Sequence, residues 1–210
     1  MKKVKFIVFI CLFILLPLAY FNGFIRISDL TSEQESIAKK YGGVYVFDEK
    51  LEKEIDKREE ERDKYLDDFF KNNNRDFDLN DQTIMNEKLP RVLSNGKKYY
   101  VTTRDYGNDF KKQAWIPERY SDLIVNYIGD DYNKFKPSMS FIYFYVENNE
   151  IVPISLSVTY TYKVAKFGLY GDEASGIRFK EIYYSYVLGG NRFEFINNKF
   201  EKVSNKDKDK

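Results

Sequence analysis

The chain has 210 residues, with 34 lysines and arginines against 33 aspartates and glutamates, a net charge of +1 and no histidine. Without histidine there is no Ser-His-Asp or Cys-His catalysis and no histidine-ligated zinc, and no side chain titrates near neutrality without a strong local shift. With Lys2, Lys3, Lys5 and Arg26 set aside, the remainder is mildly acidic at −3, which excludes the basic footprint of a nucleic-acid binder.

The stretch from Val4 to Ile25 is apolar without interruption from Phe6 to Phe21, follows Lys2, Lys3 and Lys5, and precedes the first acid at Asp29. Crossing the hydrocarbon core takes about 20 mostly apolar residues, so residues 1–27 read as a membrane anchor held through residues 4–25. The basic start places the N-terminus in the cytoplasm and the rest outside, in a periplasmic or extracellular position. The competing reading is a cleaved signal peptide with secretion of the product. The charged start fits that reading too, but Tyr20 and Phe21 after Ala19 make a poor small-residue cleavage site. The lone cysteine, Cys11, falls in this stretch, so the exported part must be stabilised by packing rather than by disulfides. The richness in Lys, Asn, Ile, Tyr and Phe matches an AT-rich bacterial coding bias, so aromatic abundance alone carries no functional weight.

Beyond the anchor, residues 29–41 predict a short helix, with Ser32 and Glu35 as a capping box and Gly42 just past its end. Residues 43–47 predict a strand. Asp48 predicts the N-cap of a long charged helix over 49–71, whose thin apolar stripe is Leu51, Ile55, Leu66, Phe69 and Phe70. Charged residues fill its middle turns, so no heptad is sustained and the helix reads as solvated and packed at its two ends.

Residues 72–88 read as a polar loop containing the sharpest motif in the chain. Asp76, Asp78 and Asn80, followed by Glu87, resemble the EF-hand calcium loop, a family whose loop supplies hard oxygen ligands at these spacings. The resemblance implies that these four residues would bind calcium. The chain departs from the pattern at Asp81, where the family has the glycine of its sharp turn, at Thr83, where it has an aliphatic residue, and at Pro90, which cuts the exit helix short. No other cofactor is indicated.

From Arg91 onward the pattern is mostly β. Asn95-Gly96 predicts a hairpin between 91–94 and 97–103, followed by a loop through Gly107. Pro117 fits the first turn of a helix, with Trp115 stapled onto Tyr120. Ile116, Tyr120, Leu123, Ile124, Tyr127 and Ile128 form its continuous apolar face, and Gly129 ends it. An antiparallel meander then runs through 140–147 and 150–164, joined across Asn148-Asn149. In the second strand Ile154, Leu156, Val158, Tyr160 and Tyr162 alternate with Ser155, Ser157, Thr159 and Thr161, which predicts one buried and one wet face. A loop at 168–176 leads to strands at 177–188, 193–196 and 200–203, with Asn197-Asn198 as the last turn. The fold class is therefore α+β: one exported domain over 28–203, an antiparallel meander packed against two or three helices, and a charged, disordered tail over 204–210.

Chemistry is sparse. Ser36 and Lys39 match the S-x-x-K element of serine acyltransferases such as penicillin-binding proteins, but the companion S-D-N and K-T-G elements are absent. The acidic pairs Asp67-Asp68, Asp130-Asp131 and Asp172-Glu173 are sequence neighbours that point apart, unlike the opposed carboxylates of a glycosidase. The reading is a non-enzymatic protein-binding module, either an envelope-complex component or an immunity-type inhibitor of an incoming toxin. The alternatives are a cell-wall or glycan binder using Tyr143, Tyr145, Tyr183 and Tyr184, and a carboxylate-based hydrolase.

Overall fold

A computed structural model describes residues 2–15, 25–171, 174, 176 and 178–203. Among these, seven α-helices accompany one large, predominantly antiparallel sheet. In chain order the elements are α1 (Lys2–Ile10), a π-helical turn (Cys11–Leu15), β1 (Ile25–Ser28), α2 (Ser32–Tyr41), β2 (Gly43–Val46), α3 (Glu49–Asn72), α4 (Leu79–Lys88) and β3 (Tyr99–Tyr100). There follow α5 (Thr103–Phe110), α6 (Glu118–Ile128), α7 (Asp131–Lys134), β4 (Ser138–Glu147), β5 (Glu150–Tyr170), β6 (Arg178–Val187), β7 (Asn191–Ile196) and β8 (Lys199–Val203).

The sheet is built around β5, whose 21 residues extend about 70 Å. Its first half sits inside the strand order β3-β4-β5-β2-β7-β8, and its second half carries β6 and β1. The strand β2 is antiparallel to β5 and parallel to β7, a crossover with no local sequence signature. The chain closes it where Gly42 and Gly43 meet Gly189 and Asn191: a Cβ on Gly43 would lie 2.0 Å from the Asn191 carbonyl oxygen, and one on Gly189 2.0 Å from that of Gly42. Only glycine permits that approach. Asn191 also donates its Nδ2 to the carbonyls of Lys39 at 2.7 Å and Gly42 at 2.8 Å, satisfying acceptors at the end of α2.

The main core is aromatic. Tyr45, fully buried, stacks on Phe193 with ring centroids 4.5 Å apart, meets Phe200 edge-on at 5.0 Å and donates its hydroxyl to the Tyr41 carbonyl. Ile124 and Ile128 from α6 and Leu156, Val158 and Tyr160 from β5 complete it. A smaller cluster joins Ile55 of α3 to Leu93, Tyr99 and Ile154. The two Asn-Asn hairpin turns read from sequence form as tight turns with paired left-handed asparagines, Asn148 and Asn149 (φ 50° and 65°) and Asn197 and Asn198 (φ 51° and 62°), whereas Asn95-Gly96 turns the chain between a single bridge, Val92 with Lys98, and not between two strands.

Several expectations are corrected. No helix among the described residues is long and apolar enough to cross a membrane. The nine residues of α1 rise about 14 Å, less than half the ~30 Å hydrocarbon core, and the five that follow form a π-helical turn. Ile25, read as the end of a spanning helix, instead opens β1 and pairs with Phe167. The single-pass placement through residues 4–25 is therefore withdrawn; residues 16–24 of that stretch, like the tail over 204–210, lie outside the described residues. The cap of α2 is Thr31 with Gln34, one residue earlier than read, and Gly42 is extended rather than left-handed. The residues taken as loops at 72–88 and before Gly107 include α4 and α5, each started by a side-chain cap, Asp78 and Thr102 respectively. Pro117 caps α6 from outside, and Trp115 stays exposed while the Tyr120 ring packs on Phe47. Finally, β5 runs on through Gly168 to Tyr170, where a loop was expected.

Candidate functional site

Two regions present chemistry at the surface. The first is an open polar cleft of about 380 Å³ between α4, the Pro90–Val92 segment, β3 and α5. Its floor is an ionic network anchored on α3. Glu59 accepts two hydrogen bonds from Arg91, from Nε at 2.9 Å and Nη2 at 2.7 Å, and a third from the Tyr99 hydroxyl at 2.7 Å. Burial by itself raises the Glu59 carboxyl, but the Arg91 and Tyr99 bonds outweigh it and the net shift is downward. Arg62, buried in the middle of α3, donates to the Leu89 carbonyl and to Asn86 Oδ1, fastening α4 to α3. The middle of α3 is solvated at Asp56, Lys57, Glu60, Glu61, Asp63 and Lys64 but covers one polar face, Glu59 and Arg62, against α4 and β3, while at its C-terminal end Phe70 is exposed.

The cleft walls carry the carboxamides of Gln82, Asn86 and Asn108, together with Lys98, Asp105 and Asp109. Both wall carboxylates are paired, Asp105 to Arg91 at 3.3 Å and Asp109 to Lys98. The Lys98 hydrogen bond, supported by one from the Tyr100 hydroxyl, prevails over burial and lowers the Asp109 carboxyl. A general acid working near neutrality needs the opposite shift. The cleft is polar, close to neutral in formal charge and rich in amide donors and acceptors.

The second region is the three-stranded sheet of β1, the second half of β5, and β6. Its register sets Ile27 opposite Ala165 and Ala165 opposite Ile182, Lys163 opposite Tyr184, and Thr161 opposite Tyr186. Directly paired residues share a face, so Ile25, Ile27, Ile182, Tyr184 and Tyr186 lie on one side of the sheet. All five are exposed, Tyr184 to 69% and Ile182 to 57%. By register this face also carries Lys163 and Lys180, with the Asp29 carboxylate at the end of β1 accepting from the Lys163 amide at 2.8 Å, and the Lys163 ammonium sits 5.8 Å from the Tyr184 ring centre. A contiguous exposed apolar face of this kind marks an interaction surface.

The residues singled out from sequence are placed as follows. Asp78 is the N-cap of α4, its Oδ1 accepting from the amides of Asn80 at 2.8 Å and Asp81 at 3.0 Å. Asp76 lies just before the cap, while Asn80 and Glu87 are helical residues of α4. The stretch that would curl around calcium is therefore mostly helix. Arg75 binds Asp81 through both guanidinium nitrogens, at 2.5 and 2.7 Å, which holds the Asp81 carboxyl down at about 2. Among the described residues no group of three or more acidic, cysteine or histidine side chains is arranged to hold a metal ion.

Lys39 is ion-paired to Glu35 in the turn before it, on a shallow surface beside Ser36. Asp131 binds Lys134 and accepts from the Tyr41 hydroxyl, whereas Asp172 and Glu173 lie outside the described residues. The four tyrosines do not form one row. Tyr143 is half-buried and donates to Asp56, Tyr145 is half-buried with the Lys97 ammonium over its ring, and Tyr183 and Tyr184 alternate to opposite faces of β6. Tyr186 and Ile182, the exposed neighbours of Tyr184, were not singled out from sequence. Their alternation along β6 was visible, but the side left uncovered was not. Comparison with family models, with curated proteins and with solved structures finds no match.

Proposed function

We propose that this chain is a non-enzymatic protein-binding module that docks a partner on the Ile27–Ile182–Tyr184–Tyr186 face. The observation that carries this reading is the exposed apolar face itself, which a folded chain leaves uncovered at a cost in solubility unless something covers it. Lys163 and Lys180 on that face, against the single Asp29 carboxylate at its margin, support a partner that sets acidic residues beside an apolar ridge. The pairing of both cleft aspartates with cations supports the non-enzymatic part of the reading. An immunity-type inhibitor or an assembly component would both use such a surface.

The test is affinity capture by the full chain compared with a Tyr184→Ser/Tyr186→Ser variant of equal thermal stability. A stoichiometric protein retained by the parent and lost by the variant is the expected result. A partner retained equally by both overturns the placement, and retention of no protein overturns the function. A second reading, binding of an uncharged polysaccharide, is favoured by the neutral cleft with its three carboxamides. It predicts retention of soluble glycan that Asn86→Ala and Asn108→Ala weaken, with no dependence on Tyr184.

A further inference from the structure

Among the described strands β6 pairs with β5 alone, so from Lys180 to Val187 its outer edge has no described strand beside it. Open edges present unpaired ladder amides and carbonyls, and folded proteins blunt them by shortness, charge, proline or a covering element. The other edges here follow that rule. β3 has two residues, β1 has four, and β8 has five with Lys199, Glu201 and Lys202 among them. β6 does not follow it: from Ile182 to Gly190 there is no charge and no proline, and seven consecutive residues, Arg178–Tyr184, are exposed.

We infer that a second copy of this chain pairs along this edge, β6 to β6 antiparallel about a two-fold axis, joining the two small sheets into one of six strands. The occupant follows from the distribution of charge. Arg178, Lys180 and Glu181 all lie in the first four residues of the strand. An antiparallel self-pair sets that half against the uncharged half of its mate. With the axis at Tyr183, Lys180 opposes Tyr186, Glu181 opposes Ser185 and Ile182 opposes Tyr184, so no like charges meet and each Lys180 faces an aromatic ring. A parallel pair would instead align Lys180 with Lys180. The contact is isologous and closes at two copies.

Edge pairing takes up the unpaired ladder groups of both β6 strands and leaves the two Ile27–Ile182–Tyr184–Tyr186 faces side by side. This inference uses the edge, whereas the proposed function uses the face, so either can fail without the other.

The experiment is sedimentation velocity of the full chain across a concentration series, with two variants at one position. Ser185→Glu places like charges opposite Glu181 twice per dimer, while Ser185→Lys places an attractive pair there. The expected result is a dimer for the parent and for Ser185→Lys, with dissociation raised about tenfold or more for Ser185→Glu. Tyr183→Cys in a Cys11→Ser background should form an intermolecular disulfide under mild oxidation, and Lys180→Cys should not. A parent that stays monomeric throughout overturns the inference. So does identical behaviour of the two Ser185 variants with matched melting curves, or crosslinking that is no better at 183 than at 180.

Discussion

The two halves of β5 share a strand but differ in charge, none from Ile151 to Tyr160 against Lys163 and Lys166 beyond it, and in what surrounds them. From Ile151 to Tyr160 the strand lies between β4 and β2, and Ile154, Leu156, Val158 and Tyr160 are buried under helices or facing strands. From Thr161 to Tyr170 it lies between β1 and β6, and the apolar residues beside it, Ile27, Ile182, Tyr184 and Tyr186, are open to solvent. Alternation is regular in the first half and lapses in the second, where Lys163 and Lys166 fall on opposite faces and Ala165 and Phe167 take the side that Ser155 and Ser157 occupy earlier. Burial is conferred by what packs on a face: α2 and α6 cover the side of Leu156, Val158 and Tyr160, while Ile27, Ile182, Tyr184 and Tyr186 lie on the other side of the sheet and are exposed. The first half lies in the core, and the second is flanked by exposed apolar surface.

The largest expected effect breaks the covered half from its far side. Arg192 on β7 is buried and binds Glu52 at 2.5 Å and Glu194 at 2.8 Å, linking α3 to the sheet. Arg192→Met removes a guanidinium that two buried or nearly buried carboxylates, Glu52 and Glu194, both bind, and should cost about 3–5 kcal/mol of unfolding free energy in urea titration. The contrast between the halves is sharpest with one residue type. Ile154→Ala opens a fully enclosed site and should cost about 2–5 kcal/mol, whereas Ile182→Ala should stay within about 0.5 kcal/mol in the monomer. Equal losses at the two positions would show that the second half is covered in the monomer and would remove the basis for a docking face.

The pH dependence reports on the network beneath the cleft. Glu59 has a lowered carboxyl pKa in the folded state, so it contributes stability that is present above its unfolded value, about 4.3, and is lost as pH falls through the folded one. Urea midpoints should hold steady from neutrality to about pH 5 and decline below it. Glu59→Gln should be less stable at pH 7 and flatter across the acid range, and a parallel decline in the two proteins would show that other carboxylates dominate. The smallest effect is expected at Tyr160, whose buried hydroxyl has no hydrogen-bond partner among the described residues. Tyr160→Phe should be neutral or slightly stabilising in thermal melts, because an unsatisfied buried hydroxyl is removed. A clear loss would reveal a water or side-chain partner for that hydroxyl.

Local chemistry made much of the fold legible from the chain alone. Paired asparagines adopt the left-handed region readily, so Asn148-Asn149 and Asn197-Asn198 marked their hairpins without tertiary help. The 3.6-residue spacing from Tyr120 to Ile128 marked α6, and Asp48 marked the start of α3. The helix α4 is hard to read because its apolar stripe is weak and α5 because it is only eight residues long with Gly107 inside it, although the spacings Asp78 to Asp81 and Thr102 to Asp105 carried the capping signal. An acidic cluster reads equally as calcium ligands or as a helix cap, and it was Arg75, held to Asp81 by two hydrogen bonds, that tied the Asp78–Asp81 turn into a cap.

What the sequence by itself determined is the inventory: no histidine, a single cysteine, an aromatic supply for the core, and turns and caps set by interactions within a few residues. Tertiary structure alone decided the rest. Ile25 and Ile27 look the same in an apolar helix as in a strand, and their role was set by Ala165 and Phe167, some 140 positions along the chain. Glu52 finds Arg192 at a similar separation, and Gly43 meets Asn191 only through a parallel crossover. Periodicity specifies that a strand has two faces, but which face meets solvent depends on helices whose docking is a non-local free-energy balance. That is why Tyr184 could be named in advance and its exposure could not.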